Sequence, residues 1–304
     1  MLQQTTVAAV KPYFAKFVER WPTVDALAGA EEAEIMSAWA GLGYYSRARN
    51  LVKCAAEVKQ RGGFPDTEAE LRTLPGVGEY TAAAIAAIAF GQRAVVVDAN
   101  VERVIARLFC IEEPLPAARR AIRARADETT PDKCAGDFAQ AMMDLGSSIC
   151  TTRDPKCLLC PLAQQCAGRK AGEPERLPVK PAKKPKPQHS GCAYWMERDG
   201  ADGREVWLVT RKGTGMLGGM RALPDDGWSA QKDGTGDLPL PGDWQDMGAV
   251  THTFTHAQLS LQVLKLSISQ NPAQAGEWWP VEGLDDAGLP TLFAKAVRLV
   301  LAQD

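Results

Sequence analysis

Long apolar runs are missing from this sequence. No stretch approaches the roughly 18 apolar residues of a membrane-spanning helix, which excludes a helical span. The opening residues carry none of the basic, apolar and small-residue zones of a signal peptide, so a cytoplasmic protein is expected. Eight cysteines in such a chain are not a disulfide framework, because cytosolic thiols stay reduced. No internal repeat is visible, which sets aside a repeat architecture. An excess of one charge is missing too: the formal net charge is -2. Spread evenly, that balance would argue against nucleic acid, since phosphate binding is carried by Lys and Arg. The distribution is uneven. Residues 1–170 hold 21 basic and 20 acidic side chains, whereas residues 169–186 hold seven basic and two acidic. A neutral body with a basic strap is compatible with DNA without establishing it.

What is present fits two domains, since 304 residues at 45% hydrophobic content suffice for two ordinary cores. From Val7, Val10, Tyr13, Phe14 and Phe17 onward the apolar spacing is helical, and it stays so to about residue 150, broken by "RGGFPD", "LPGVG" and "EEPLP". "AGEPERLPVKPAKKPKPQHS" (171–190) has no periodicity and is expected as an extended linker. Beyond it, "GCAYWMERDG" and "REVWLVTRKG" predict a β-hairpin, "LSLQVLKLSIS" alternates as a strand, and "TLFAKAVRLVLAQ" returns to helical spacing. The predicted boundaries are an all-α domain over 1–148, a cysteine loop over 149–168, a basic linker over 169–190 and an α+β domain over 191–304.

Three constellations carry chemistry. Cys150, Cys157, Cys160 and Cys166 stand in a C-x6-C-x2-C-x5-C pattern, four thiols that suit zinc or an iron-sulfur cluster. Cys54, Cys110, Cys134 and Cys192 are scattered singly and are expected as small buried hydrophobes. In "LRTLPGVGEYTAAAIAAIAF" (71–90), Gly76, Val77 and Gly78 make a turn between two helical patterns, whose free amides at the second helix suit a phosphate. In "VVVDANVERVIAR" (95–107), a β-branched run delivers Asp98 to the head of a helix, where the plain reading is an N-cap.

The cysteine spacing and the hairpin together resemble the endonuclease III superfamily of DNA glycosylases, whose loop holds a 4Fe-4S cluster and whose second motif is a helix-hairpin-helix. The resemblance implies that Asp98 is the essential aspartate, stabilising the cation that forms as a nucleoside C1'–N bond breaks. It also implies that Asn100 orients the attacking water. Members that also cut the backbone carry a lysine in the second helix of the hairpin, because a Schiff base needs an amine. Tyr80 stands there instead. That departure resembles the MutY-type adenine DNA glycosylases, as do "MLQQT", "GLGYYSRARNL" (41–51), "FAQAMMDLGSSIC" (138–150), "GMLGGMRALP" and "FTHAQLSL". The implied activity is monofunctional removal of adenine mispaired with 8-oxoguanine or guanine in double-stranded DNA, by a nucleoid-associated monomer with no membrane contact.

By the same resemblance Gln4 and Tyr44 wedge into the duplex, and Thr5 and Leu42 lie against 8-oxoguanine. The extruded adenine sits near Gln140 and Tyr80. The C-terminal part resembles the Nudix-like domain of that branch, with Thr255 and His256 in its Phe-Ser-His position. A pyrophosphatase would need a helix dense in carboxylates to hold Mg²⁺, and "SAQKDGTGDLPLPGDWQD" offers none. In the family, Ser-Glu-Val precedes the stretch matching the first five residues, and its glutamate protonates adenine. That general acid is therefore expected upstream of Met1, and the chain as given is expected to excise adenine at least about a hundredfold more slowly than a longer form. Two other readings stay open: a non-catalytic binder of 8-oxoguanine mismatches, and an endonuclease III-like glycosylase-lyase.

Overall fold

A computed structural model of the chain describes residues 1, 5–181, 185–201, 203–212, 217–229, 231–254 and 257–303. The helical half holds α1 (Val7–Arg20), α2 (Val24–Ala28), α3 (Glu32–Trp39), α4 (Ser46–Arg61), α5 (Glu68–Leu71), α6 (Glu79–Phe90), α7 (Ala99–Leu108), α8 (Arg119–Thr129), α9 (Ala135–Ser148) and α10 (Ala167–Lys170). The C-terminal part holds β1 (Gln188–Gly200), β2 (Gly203–Thr210), β3 (Arg221–Ala222), β4 (Gln245–Thr253), β5 (Gln258–Ser267), β6 (Glu277–Pro280) and α11 (Thr291–Leu301). No described helix is long and apolar enough to cross a membrane.

Two compact units result: Glu57–Lys183, and Met1–Ala56 together with Lys184–Asp304. The helical half, expected as one domain over 1–148, is thus divided at 56/57. In the unit formed by 57–183 the core joins Val101, Val104 and Ile105 of α7 with Ile122 and Ala126 of α8 and Met142 and Leu145 of α9. The buried face of α6 is alanine, at Ala82, Ala83, Ala86 and Ala87. Small side chains let α9 come close: a Cβ on Gly136 would stand 2.5 Å from the Ala87 carbonyl oxygen. The expected linker is not free over its first half. Leu177 is buried to 1% exposure. Its carbonyl accepts the Arg107 Nε–H at 3.0 Å, and the Leu115 N–H donates to Val179 O at 2.8 Å.

In the other unit, Val10, Phe17, Ile35, Met36 and Trp39 pack together, with Met220 and Leu217 of the C-terminal part against them. Arg49 Nη1 also donates to the Gly218 carbonyl. The sheet runs β3-β2-β1-β5-β4, with β6 also paired to β2. β1 and β2 form the expected antiparallel hairpin, while β1 and β5 pair in parallel from Gln188↔Gln258 to Glu197↔Ser267. Buried Trp195, Val206, Leu208, Leu261 and Val263 meet Leu292, Phe293, Ala296 and Val300 of α11. Among the described residues, none between β3 and β4 is helical.

Candidate active site

Asp98 caps α7 with extended backbone, φ -94° and ψ -176°. One oxygen, Oδ1, accepts the N–H groups of Asn100 at 2.8 Å and Val101 at 2.7 Å. The other, Oδ2, accepts from Asn100 Nδ2 at 3.0 Å. Such a cap is worth about 1 kcal/mol, and the positive end of the helix dipole favours the anion. Asn100 is fixed in turn by Arg103, whose Nη2 donates to Asn100 Oδ1 at 2.8 Å. Arg103 also reaches Cys150 O through Nε at 2.6 Å, and the Gly146 carbonyl. Only glycine fits at 146, since a Cβ there would lie 2.6 Å from Asn100 Cβ.

Tyr80 stands in the first turn of α6, half-buried, its hydroxyl donating to Met143 Sδ at 3.4 Å. Burial first, and then the charge of Asp98, push its phenol above the ordinary tyrosine value. The ring is therefore neutral at physiological pH, and it lies within electrostatic reach of Asp98. Gln140 is exposed one turn before Met143 on α9, with Nε2 on Gly136 O at 3.3 Å. Residues three apart share a helix face, so Gln140 and Tyr80 meet the same stretch of α9. In the hairpin, Gly76 has φ +76°, and Gly78 caps α6 without a side chain. The Val77 N–H donates to Leu74 O at 3.1 Å, so one of the three amides expected for phosphate is already engaged in the turn.

Cys150, Cys157, Cys160 and Cys166 line one cavity, walled by Ile149, Pro155, Ala163 and Pro174 and by Arg107 and Arg169. Two donors point at the sulfurs: Arg107 Nη1 at 3.3 Å from Cys150 Sγ, and the Arg169 N–H at 3.4 Å from Cys166 Sγ. Burial, followed by the other three thiols, pushes the Cys157 thiol up. Among the described residues no group of three or more His, Cys, Asp or Glu side chains is arranged to clamp a metal ion. Four thiols lining one cavity, two of them facing N–H donors, are a donor set whose chemistry suits a thiolate-bound metal or iron-sulfur group. The scattered cysteines are less buried than expected: Cys54, Cys110 and Cys192 are half-buried and Cys134 is exposed.

The turn 41–45 belongs to the other unit. Gly41 (φ +95°), Gly43 (φ +67°) and Tyr44 (φ +49°) all take left-handed backbone. For tyrosine that costs about 1 kcal/mol or more and persists only where its surroundings impose it. A Cβ on Gly41 would collide with the Tyr13 hydroxyl. Tyr44 is 45% exposed, free to meet a large partner. Leu42 is 7% exposed, in the core with Trp39 and Tyr45. Gln4, Thr255 and His256 lie outside the described residues. Flanking the last two, the Phe254 N–H donates to Ala257 O at 2.8 Å and Lys186 Nζ to Phe254 O at 2.7 Å. The Phe254 ring lies 4.6 Å from His252 and 6.1 Å from Trp228.

Sequence reasoning missed Arg103 and Arg107. Arg107 is 2% exposed, with Nη1 on Thr151 O at 2.7 Å and Nη2 on Thr152 O at 3.1 Å besides its bond to Cys150. The signal was available: Asn100, Arg103 and Arg107 recur at helical spacing beside the apolar face of α7. One helix thus carries the capping aspartate at its head and two arginines reaching the first cysteine.

Residues 1–128 match the HhH-GPD superfamily base excision DNA repair protein family, and residues 193–299 match the NUDIX domain family. The human adenine DNA glycosylase is 33% identical, its alignment covering 100% of this chain and 67% of the human protein. The adenine DNA glycosylase of Mycolicibacterium smegmatis is 42% identical over 57% of this chain and 60% of its own length. Among solved structures, a thermostable thymine-DNA glycosylase superposes with a TM-score of 0.51 at 32% identity, covering 56% of this chain and 80% of the other. A trapped covalent endonuclease III–DNA intermediate, an estranged-adenine complex, gives 0.50 at 28%, covering 56% and 81%. A base-excision helical half, a Nudix-type half and a full-length alignment with adenine DNA glycosylases place this chain in the adenine DNA glycosylase family.

Proposed function

We propose that this glycosylase hydrolyses the N-glycosidic bond of adenine mispaired with 8-oxoguanine or guanine in duplex DNA, and leaves the strand intact. The observation that carries the proposal is the Asp98 carboxylate, locked by three hydrogen bonds at the head of α7 beside the neutral Tyr80 phenol. As the C1'–N bond lengthens, positive charge grows on the sugar while the bonding electron pair leaves with adenine; water then forms the C1'–O bond, and the proton it loses balances the one that the departing adenine takes up. A fixed anion stabilises that charge without reorganising. Asn100, held by Asp98 and Arg103, is placed to orient the water that attacks C1'. Tyr80 and Gln140 receive the extruded adenine. Tyr80 offers no amine, so no Schiff base forms and the backbone is not cut.

Extrusion leaves a gap in the stack, which costs a few kcal/mol unless a side chain fills it. The exposed Tyr44 is that side chain, with Gln4 as the second wedge, while Thr5 and Leu42 lie against the oxidised guanine and Thr255 and His256 read it. The DNA partner is supported by the family and by the DNA-bound state of the similar endonuclease III. Cys150, Cys157, Cys160 and Cys166 would hold a 4Fe-4S cluster, which supplies a cross-link among four points of the loop after α9. The test is single-turnover release of adenine opposite 8-oxoguanine, guanine or thymine. Release ranked in that order, with strand breaks only after hot alkali, is expected. Equal rates on all three duplexes, or a covalent complex trapped by borohydride, would contradict the proposal.

A further inference from the structure

Arg47, in the first turn of α4, holds two chain segments that lie far apart in sequence. Its Nη1 donates to Met1 O at 2.9 Å and its Nη2 to Thr5 Oγ1 at 3.3 Å, across 46 and 42 residues. Nη2 also lies 3.5 Å from Gly43 O, which accepts a second bond from Trp39 Nε1 at 3.0 Å. The guanidinium carbon is 5.2 Å from the centre of the Tyr44 ring and 5.4 Å from that of Trp39. Burial lowers the affinity of this guanidinium for its proton, and its Nε is buried without a hydrogen-bond partner among the described residues. A surface arginine would be solvated. This one has given up water to tie Thr5, the Gly43 carbonyl and the Tyr44 ring to one rigid helix.

The geometry fits arginine and no other side chain. A planar fork can reach acceptors on two segments while stacking on an aromatic face, whereas a lysine ammonium is a point charge that can do one or the other. The turn it braces needs bracing, because Tyr44 is left-handed and exposed. We infer that Arg47 is a positioning residue for base extrusion: it fixes Thr5 to the turn 41–45 and backs the Tyr44 ring, so that the wedge meets the duplex already formed. This rests on the reading of Tyr44 as the residue that fills the vacated place. Arg47 touches no reacting atom, so its effect is on extrusion, ahead of the chemical step.

The test places 2-aminopurine opposite 8-oxoguanine and reads its fluorescence at saturating protein, which rises when the base leaves the stack. Wild type, Arg47→Ala, Arg47→Lys, Tyr44→Ala and the Arg47→Ala/Tyr44→Ala pair are compared, with affinity for undamaged duplex measured beside. Arg47→Ala is expected to lower the extrusion equilibrium about tenfold, with affinity for undamaged duplex within about twofold. Arg47→Lys should fall with it, since charge without the fork is not enough. The double variant should be no worse than Tyr44→Ala, because both act through one wedge. Wild-type fluorescence in Arg47→Ala while Tyr44→Ala is quenched would overturn the inference and leave the wedge reading standing. Wild-type fluorescence in both would overturn the wedge reading, and the inference with it. Quenching in Arg47→Ala alone would also overturn it, since Arg47 would then act by another route. Should Arg47→Ala fail to fold, Arg47→Lys and Thr5→Val carry the test, loss in both supporting the inference and wild-type signal in both overturning it.

Discussion

Asp98 in the unit 57–183 is held by Asn100 and Val101, two and three residues away, in a conformation that a helix start favours by itself. Tyr44 in the other unit is held in a conformation its backbone disfavours, by an arginine whose ties reach back 42 and 46 residues. Placing a charge for chemistry can be done with local hydrogen bonds, because the carboxylate needs only to stay still. Presenting a wedge to DNA needs an exposed ring on a turn that does not collapse, and its support must come from elsewhere in the chain. The contrast separates a carboxylate held by its immediate neighbours from an aromatic ring held by a distant segment.

The contrast has an exception in the cysteine loop, which belongs to the catalytic unit and is nonlocal. Cys157→Ser should take the iron content from about four per chain to near zero, with loss of absorbance near 400 nm, while Cys54→Ser keeps both. Iron analysis checks this, and stoichiometric zinc in the wild type would refute the cluster. Next in size is Arg107→Met. It strips partners from the Leu177, Thr151 and Thr152 carbonyls in a buried setting, and should cost about 3–5 kcal/mol in denaturant unfolding. A cost under 1 kcal/mol would show that Arg107 does not brace the loop.

Gly146→Ala sharpens the local side of the comparison. The added methyl would meet Asn100, so about 1–3 kcal/mol of stability and a larger share of excision than of DNA affinity should be lost. Unchanged excision would mean that Asn100 has room to move. The smallest effect spans both units. Tyr45 and Tyr194 in one and Tyr80 in the other are all pushed above the ordinary value, by burial first in each case. The folded state then keeps protons that the unfolded chain has released. Stability should accordingly be full below about pH 10 and fall as pH rises toward the raised folded values. Melting temperatures at pH 9 and 10.5 check the sign, and Tyr80→Phe should soften the fall.

What could be read in the sequence follows the same division. The cysteine spacing, the glycine turn, the Asp98 cap, the β1–β2 hairpin and α11 are short-range patterns, each complete within about twenty residues. The parallel pairing of β1 with β5 could not be read, because nothing in either strand names its partner. Nor could the docking of Leu177 and Val179 on the helical unit, where a proline- and lysine-rich segment hides one buried leucine. Nor could the burial of Leu42, because residues it packs with, Val10, Phe17 and Met36 among them, lie on other elements. Nothing in the sequence names the acceptors of Arg47, which lie 42 and 46 residues back.

The central claim is that Asp98 does the chemistry and that recognition lies elsewhere. Single-turnover excision by Asp98→Asn on an adenine:8-oxoguanine duplex, with affinity for the same duplex, tests it most directly, because asparagine keeps an oxygen for the Asn100 and Val101 N–H groups while removing the charge and, with it, the bond from Asn100 Nδ2. The account predicts excision lower by about a hundredfold or more, with affinity within about twofold of the wild type on an uncleavable adenine analogue. Excision within tenfold of wild type, or a loss of affinity as large as the loss of rate, would contradict it.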